Sequence, residues 1–264
     1  TVAKPLKVQI LKRGDFDKPL SEALSGALSA LAELPSRFVK EHAGDESERR
    51  AALADWLADD KNPLTWRSIA NRLWHHHFGR GICDSPNDFG RMGGLPSHPE
   101  LLDWLACELR EHNGSLKHLH RLIVTSAAYR QVADHRDDAA LVDADNRLLW
   151  RMNRLRLDAD SYRDFVLSSA DTLDLAVGGP SVRQFVTGPP VQLTPTLDYQ
   201  SYPWAALERH RRSVYRFVWR GVPDPFMDAL DFPDLGMLAP SRSFSASALQ
   251  SLALYNNSFV LHFS

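Results

Sequence analysis

Three histidines carry the sharpest chemical suggestion in the chain: His77, His98 and His120 come from neighbouring helical elements. A neutral imidazole is the commonest side-chain metal ligand, and Asp88 or Asp103 would complete a shell for a divalent ion. The spacing is not diagnostic. No His-Glu-x-x-His and no Cys/His finger occurs, and the rings of His118-x-His120 diverge on a helix. The competing reading makes His77 and His120 core histidines whose ring nitrogens bond backbone carbonyls or carboxylates, with His75 simply solvated.

Arginines form the second set. A guanidinium offers two parallel donors to sulfate, phosphate or a uronate, which makes Arg72, Arg80, Arg91 and Arg121 candidate ligand-binding groups, with Arg154 and Arg156 further along. Their structural alternative is a network with Asp84, Asp88, Asp103, Asp158 and Asp164. Trp66, Trp74 and Trp104 fall on apolar helical stripes and read as core; Trp150 is the tryptophan left for stacking on a sugar ring. No Gly-x-Ser-x-Gly elbow supports a nucleophilic triad. The Gly93-Gly94 and Gly178-Gly179 pairs read as turn or cap signals, not phosphate cradles.

These residues need elements to hold them. Leu6, Val8 and Ile10 alternate with polar residues and predict a strand over 6–12, ended by the turn Arg13-Gly14-Asp15. Residues 18–46 read as a connection with at most one short helix. From Ser47 the period is helical, with Leu53, Trp56 and Leu57 on one face. Asn62-Pro63 breaks it, and Trp66, Ile69, Ala70, Leu73, Trp74 and His77 then line one face of a helix that Gly79 stops. Ser97-His98-Pro99-Glu100 has the form of a capping box opening a helix that buries Leu101, Trp104, Leu105 and Leu109. Ser115 caps the next one, with Leu116, Leu119, Ile123 and Ala127 on one face.

Further helices are predicted around 146–154, from an Asp158 cap, and from Ser245-Ala246-Ser247 to about Asn256. Prolines mark 180–211 as loop with short strands, 212–220 as a strand that pairs with 6–12, and Pro223-Asp224-Pro225 as the opening of a turn or short helix. The expectation is a mainly α protein. Its helical core carries a few short β-strands, at the N-terminus and in the C-terminal part. It is read as one domain over 1–264: strand and linker 1–46, helical core 47–177, mixed part 178–264, with a seam near Gly178.

With 264 residues, 44% of them hydrophobic, the chain is long enough for a sizeable core. Lys+Arg 31 against Asp+Glu 33 gives a net charge of −2, so no global field draws it to nucleic acid or anionic membrane. No apolar run is long enough to span a bilayer. The start lacks Met and a signal-peptide core, which reads as a fragment or a processed chain. Cys83 and Cys107 form no Cys-x-x-Cys-His, so this segment attaches no haem covalently; two small buried residues is the favoured reading over a disulfide.

Taken together, Asn62-Pro63-Leu64-Thr65, Asn71-Arg72-Leu73-Trp74, His76 to Gly81, Asp88-Phe89-Gly90, Ser97 to Leu105, Arg156-Leu157-Asp158-Ala159, Arg212-Ser213-Val214-Tyr215 and Pro223-Asp224-Pro225-Phe226 resemble a known family. It is domain of unknown function 1553, the C-terminal domain of planctomycete proteins that also carry a cytochrome c domain. Two departures stand out: a 20–38 linker less Pro-rich than the family habit, and Ser245-Ala246-Ser247-Ala248 where the family often has a Ser-Thr-Thr-Pro run.

The resemblance implies an exported protein, periplasmic or at the cell envelope, with haem on an upstream domain and an association with polysaccharide breakdown. It supplies no catalytic residues. The function expected from it is an accessory or interaction domain in polysaccharide breakdown or envelope electron transfer. Other domains of the same polypeptide would be its partners, with a glycan or a redox partner besides, and neither nucleic acid nor a membrane span is expected. The alternative is a metal-dependent or Arg-assisted enzyme acting on polysaccharide, built on His77, His98 and His120 with a divalent metal as cofactor.

Overall fold

A computed structural model describes residues 8–38, 46–191, 194–206, 209–237, 239, 241–242 and 244–264. The protein is mainly α, with ten helices and six short strands among the described residues. It folds as two compact units, residues 1–153 and 154–264, which divide upstream of the seam read at Gly178.

The first unit opens with a small antiparallel pair, β1 (Gln9–Leu11) with β2 (Pro19–Glu22). The turn after β1 holds Arg13 and Gly14 at positive φ. The expected pairing of 6–12 with 212–220 is therefore corrected: β1 takes a local partner, and Leu6 lies outside the described residues. No helix forms within 23–38 either.

Helix α1 (Glu46–Ala58) leads to α2 (Pro63–Phe78) through Asn62. This buried asparagine caps α2 by accepting from the Leu64 N–H, while its amide donates to the Trp56 carbonyl of α1 at 3.0 Å. One side chain thus closes one helix and opens the next. Only Trp56 of the predicted α1 face is buried; Leu53 and Leu57 are exposed.

Helix α2 ends as expected, with Gly79 at φ 77° and its N–H on the His75 carbonyl. Helix α3 (Pro99–Glu111) starts where predicted, but not by a capping box. Its N-cap is His98, which makes no side-chain cap bond; Ser97 Oγ instead bonds the Ile82 carbonyl and His98 Nδ1. Asn113 and Gly114 at positive φ then turn the chain into α4 (Leu116–Thr125), capped by Ser115.

Helices α2, α3 and α4 pack together around Phe78, Leu105, Leu109, Leu119 and Ile123, all essentially inaccessible. Truncating one such leucine to alanine costs about 2–5 kcal/mol. Trp74 belongs to this core and Trp66 packs on it, whereas Trp104 is 46% exposed and is corrected to the surface. Two short helices follow, α5 (Ala127–Arg130) and α6 (Asp137–Val142).

The helix expected over 146–154 is a loop. Asn146 and Leu149 sit at φ 52° and 54°, and the Asn146 amide bonds the Arg151 carbonyl and Asn153 Oδ1. A side chain that satisfies the backbone this way competes with helix formation.

In the second unit, Asp158 caps α7 (Ala159–Ser169) as predicted. Strand β3 (Leu173–Asp174) runs parallel to β6 (His210–Arg211), and β4 (Val186–Val191) with β5 (Thr194–Asp198) makes an antiparallel hairpin. Residues 212–220 are not the strand that their Val, Tyr, Phe and Trp content suggests. A 3-10 turn occupies Ser213–Tyr215, and a single bridge joins Arg216 to Val182. Helix α8 (Pro225–Ala229) follows the Asp224 cap, α9 (Ala248–Asn256) starts at a true capping box of Ser247 and Gln250, and α10 (Ser258–Phe263) closes the unit. Ala159, Leu167, Phe226, Met227, Leu230 and Phe259 are its buried core.

Candidate functional site

Of the three histidines singled out in the sequence, two meet. His77 Nε2 lies 2.7 Å from His120 Nδ1, with the rings edge to face and Tyr129 against His77. One nitrogen carries a proton that the other accepts. The spacing is shorter than the roughly 3.3 Å that metal–nitrogen bonds of about 2.0 Å set between two tetrahedral ligands. Burial, then His120 and His76, hold His77 below the ordinary imidazole pKa, so His77 favours its neutral state. His98 is engaged with Ser97 at the head of α3 and does not share a cluster with them. His75 is half-buried rather than solvated.

Neither candidate carboxylate turns to these rings. Asp103 forms a bidentate pair with Arg67, at 2.5 and 2.9 Å, and Asp88 accepts from the Gly90 N–H in a turn.

The arginines divide between the two readings. Arg80 clamps Asp84 through two 2.7 Å bonds, and Asp84 also receives Arg147, so its carboxyl is held below the usual range, first by Arg80. These groups are a third or more exposed, where such pairs contribute about 0–1 kcal/mol. Arg72 donates to Asn87 Oδ1 at 2.7 Å. Arg91 and Arg121 are exposed and pair with no acid among the described residues.

Behind this loop stands Asn71. Fully buried, it donates to the Cys83 carbonyl at 2.9 Å and accepts the Cys83 N–H at 2.8 Å, fixing the segment that carries Arg80 and Asp84 onto α2. Gly81 leaves room for the clamp: a Cβ there would lie 2.5 Å from the Cys83 carbonyl oxygen and 2.8 Å from the Asn71 amide. Both cysteines are free, Cys83 buried and Cys107 half-buried.

The one set of three metal-type side chains that converges among the described residues is Glu108, His112 and His118. His118 Nε2 bonds Glu108 Oε2 at 2.9 Å, and the two imidazoles stack at 3.7 Å with 11° between planes. Ligand lone pairs lie in the ring plane, so two parallel rings do not aim at one ion. The set is a surface hydrogen-bonded stack as it stands.

The second unit holds the better-formed concavity. A cleft of about 440 Å³ is walled by Phe217, Trp219, Phe232 and Tyr199, with Arg216, Asp224 and Asp228 among its polar groups. Trp219 is partly exposed. Asp224 is committed twice, to Arg216 as an ion pair and to the Phe226 N–H as helix cap. Tyr199 donates to the Val222 carbonyl at 3.0 Å, and burial, then the Asp224 charge, raise its phenol pKa.

Sharing Tyr199, Arg216, Asp224 and Met227 with this cleft is a smaller cavity of about 50 Å³, lined also by Arg163, Gln184 and Trp204. Sequence reasoning missed all of these residues. One signal was present: Ala159, Arg163 and Leu167, at i, i+4 and i+8, are the buried residues of α7, and an arginine inside an apolar stripe is the anomaly to notice.

The family described as PSD1, protein of unknown function (DUF1553), matches residues 49–264.

The chain belongs to the DUF1553 family.

No curated protein and no solved structure matches it. Several motifs of this DUF1553 chain prove architectural. Asn62 and Pro63 join two helices, Asn71 clamps Cys83, Asp158 caps α7, Ser213 binds Asp164 through both N–H and Oγ, and Asp224 caps α8. No helix among the described residues is long and apolar enough to cross a membrane.

Proposed function

We propose that this DUF1553 chain is an accessory, glycan-binding module of an exported, haem-linked multidomain bacterial protein that works in polysaccharide breakdown. The observation that carries the binding part is the cleft of the second unit, where the aromatic rings of Phe217, Trp219 and Phe232 stand beside the charged groups of Arg216, Arg220 and Asp228. Sugar rings present apolar faces and polar edges, and a wall that mixes aromatic planes with hydrogen-bonding groups matches both. The Asp224 carboxylate there is tied up by Arg216 and a helix N-terminus, which favours binding over acid–base chemistry. The exported, haem-linked context rests on the family motifs, and electron transfer at the envelope is the other role that context admits. It requires the coding sequence upstream of Thr1 to contain an export signal and Cys-x-x-Cys-His.

Native affinity electrophoresis through gels containing neutral or acidic polysaccharides tests the module. The expected result is retardation by at least one polymer, weakened at least about tenfold by Trp219→Ala, the scale of a buried aromatic anchor. Passage unretarded through every gel sinks the glycan reading. Release of reducing ends by the same protein, lost on His77→Ala or His120→Ala, would replace the accessory role by the enzymatic one.

A further inference from the structure

Arg163 is the least expected side chain in the second unit. It is 2% exposed, on the face of α7 that packs into the core. A guanidinium has five donors, and all its protein bonds use one nitrogen: Nη1 reaches Asp164 Oδ1 at 3.1 Å, the Arg211 carbonyl at 3.1 Å and Ser213 Oγ at 3.2 Å. Nε and Nη2 are buried without an acceptor. Those two nitrogens share the side-on edge of the group, the edge that grips two oxygens of one oxyanion; Arg67 holds Asp103 by the same pair of atoms.

The surroundings continue the pattern. Trp204 Nε1–H is likewise buried and without an acceptor, and the Trp204 residue lines the same 50 Å³ cavity as Arg163. Gln184, also on the wall, has a side-chain oxygen without a donor, and a half-turn of its amide presents the NH2 instead. Arg216 supplies a second positive charge. The Asp224 carboxylate faces the cavity too, but Arg216 and the Phe226 N–H already hold it.

Burial first, and the nearby Arg216 charge second, depress the Arg163 pKa to about 10, outweighing the opposing pull of the Asp164 and Asp224 carboxylates. A single water needs only about 10–15 Å³ on this measure. The cavity is therefore roomy enough for a small oxyanion group and too small for a sugar ring.

We propose that this cavity is a receptor for one small oxyanion, a carboxylate, sulfate or phosphate group, chelated by the Nε–Nη2 edge of Arg163 with the Trp204 indole N–H as a further donor. It does not depend on the glycan reading of the outer cleft. The shared wall between the two cavities allows the oxyanion to be either a free ion or a substituent of a bound acidic saccharide.

The test is a titration of the whole chain, 15N-labelled, with sodium sulfate, phosphate and acetate against chloride at constant ionic strength. A parallel series uses sulfated and uronic oligosaccharides. The indole resonance absent from Trp204→Phe identifies Trp204. Saturable shifts of that resonance and of the Arg163 Nε–H with at least one oxyanion, and none with chloride, are expected. Arg163→Lys keeps the charge and removes the fork, and should weaken binding at least tenfold; Trp204→Phe should weaken it about fivefold and covers the case in which the lysine variant does not fold.

Response to the inorganic ions identifies a free-ion site, and response only to the oligosaccharides identifies a saccharide substituent; both support the receptor. Absence of saturation in every arm overturns it, as does saturation that Trp204→Phe leaves unchanged. The inorganic arms need no glycan, so their outcome is independent of the polysaccharide gels.

Discussion

Replacing Asn71 by aspartate changes one NH2 to an oxygen and nothing else in shape, and the surrounding geometry makes the consequence depend on pH. In the native protein the amide donates to the Cys83 carbonyl at 2.9 Å while its oxygen accepts from the Cys83 N–H at 2.8 Å, both fully buried. In Asn71→Asp one carboxylate oxygen keeps the N–H. The other faces a carbonyl oxygen with no proton between them.

An unmet buried acceptor costs about 1–3 kcal/mol, and an uncompensated buried charge raises the penalty to about 3–5 kcal/mol at pH 7. Protonation restores a donor toward the Cys83 carbonyl. The new carboxyl therefore has a folded-state pKa raised above its unfolded value of about 3.9. For a carboxyl shifted upward the stability is fully present below the unfolded value and is lost as pH rises through the folded one.

The destabilisation relative to wild type should accordingly fall to about 1 kcal/mol near pH 4 and grow toward pH 7. Urea unfolding followed by circular dichroism, wild type and variant side by side at pH 4, 5, 6 and 7, measures the difference. A penalty under about 1 kcal/mol at pH 7, or one that does not shrink on acidification, refutes the clamp as described.

His77 gives a second pH test. Burial and its histidine neighbours lower its pKa from 6.5, so its contribution to stability is full above about pH 6.5 and lost as pH falls through the lower folded-state value. His77→Gln, which retains a donor toward His120, should flatten the fall in thermal midpoint between pH 7.5 and 5.5. Part of that fall persists because His75 and His210 shift in the same direction, and identical slopes would contradict the assignment. The two thiols should react at different rates with a thiol reagent: Cys107, on the wall of an open groove of about 610 Å³, reacts in the native protein, and Cys83 only on unfolding. Loss of both thiols without reduction would indicate a disulfide instead.

Much of the helical frame is legible because its signals are local. Asn62, Gly79, Ser115, Asp158 and Ser247 each cap or stop a helix through backbone groups a few residues away, and the α2 stripe from Trp66 to His77 follows its own period. The failures have a common cause in competition that no short window contains. Residues 146–154 have helical content, but the Asn146 side chain takes the loop's own polar groups. Residues 212–220 look like a strand, yet Asp164 of α7 pulls the Ser213 N–H and Oγ out of any ladder. Trp104 is on the apolar stripe of α3 at its margin, where the stripe is wider than the core it covers. Of the candidate site, the meeting of His77 with His120 was readable from two helix faces. The Arg163 cavity was not, because its walls come from α7, the loop after Gly178, the 3-10 turn at Trp204 and the α10 region, and only folding assembles them.

Asn153 is the last residue of the first unit, and its amide donates to the Phe78 carbonyl at the C-terminal end of α2, 75 positions earlier, at 2.8 Å. The end of the first unit is thus tied by a side-chain bond to that unit's own helix α2. A gene fragment stopped one codon short leaves α2 with an open carbonyl at its end, while one that includes the codon carries its own stopper. In a dissection of the polypeptide, a first-unit fragment keeps this bond only if it extends through Asn153.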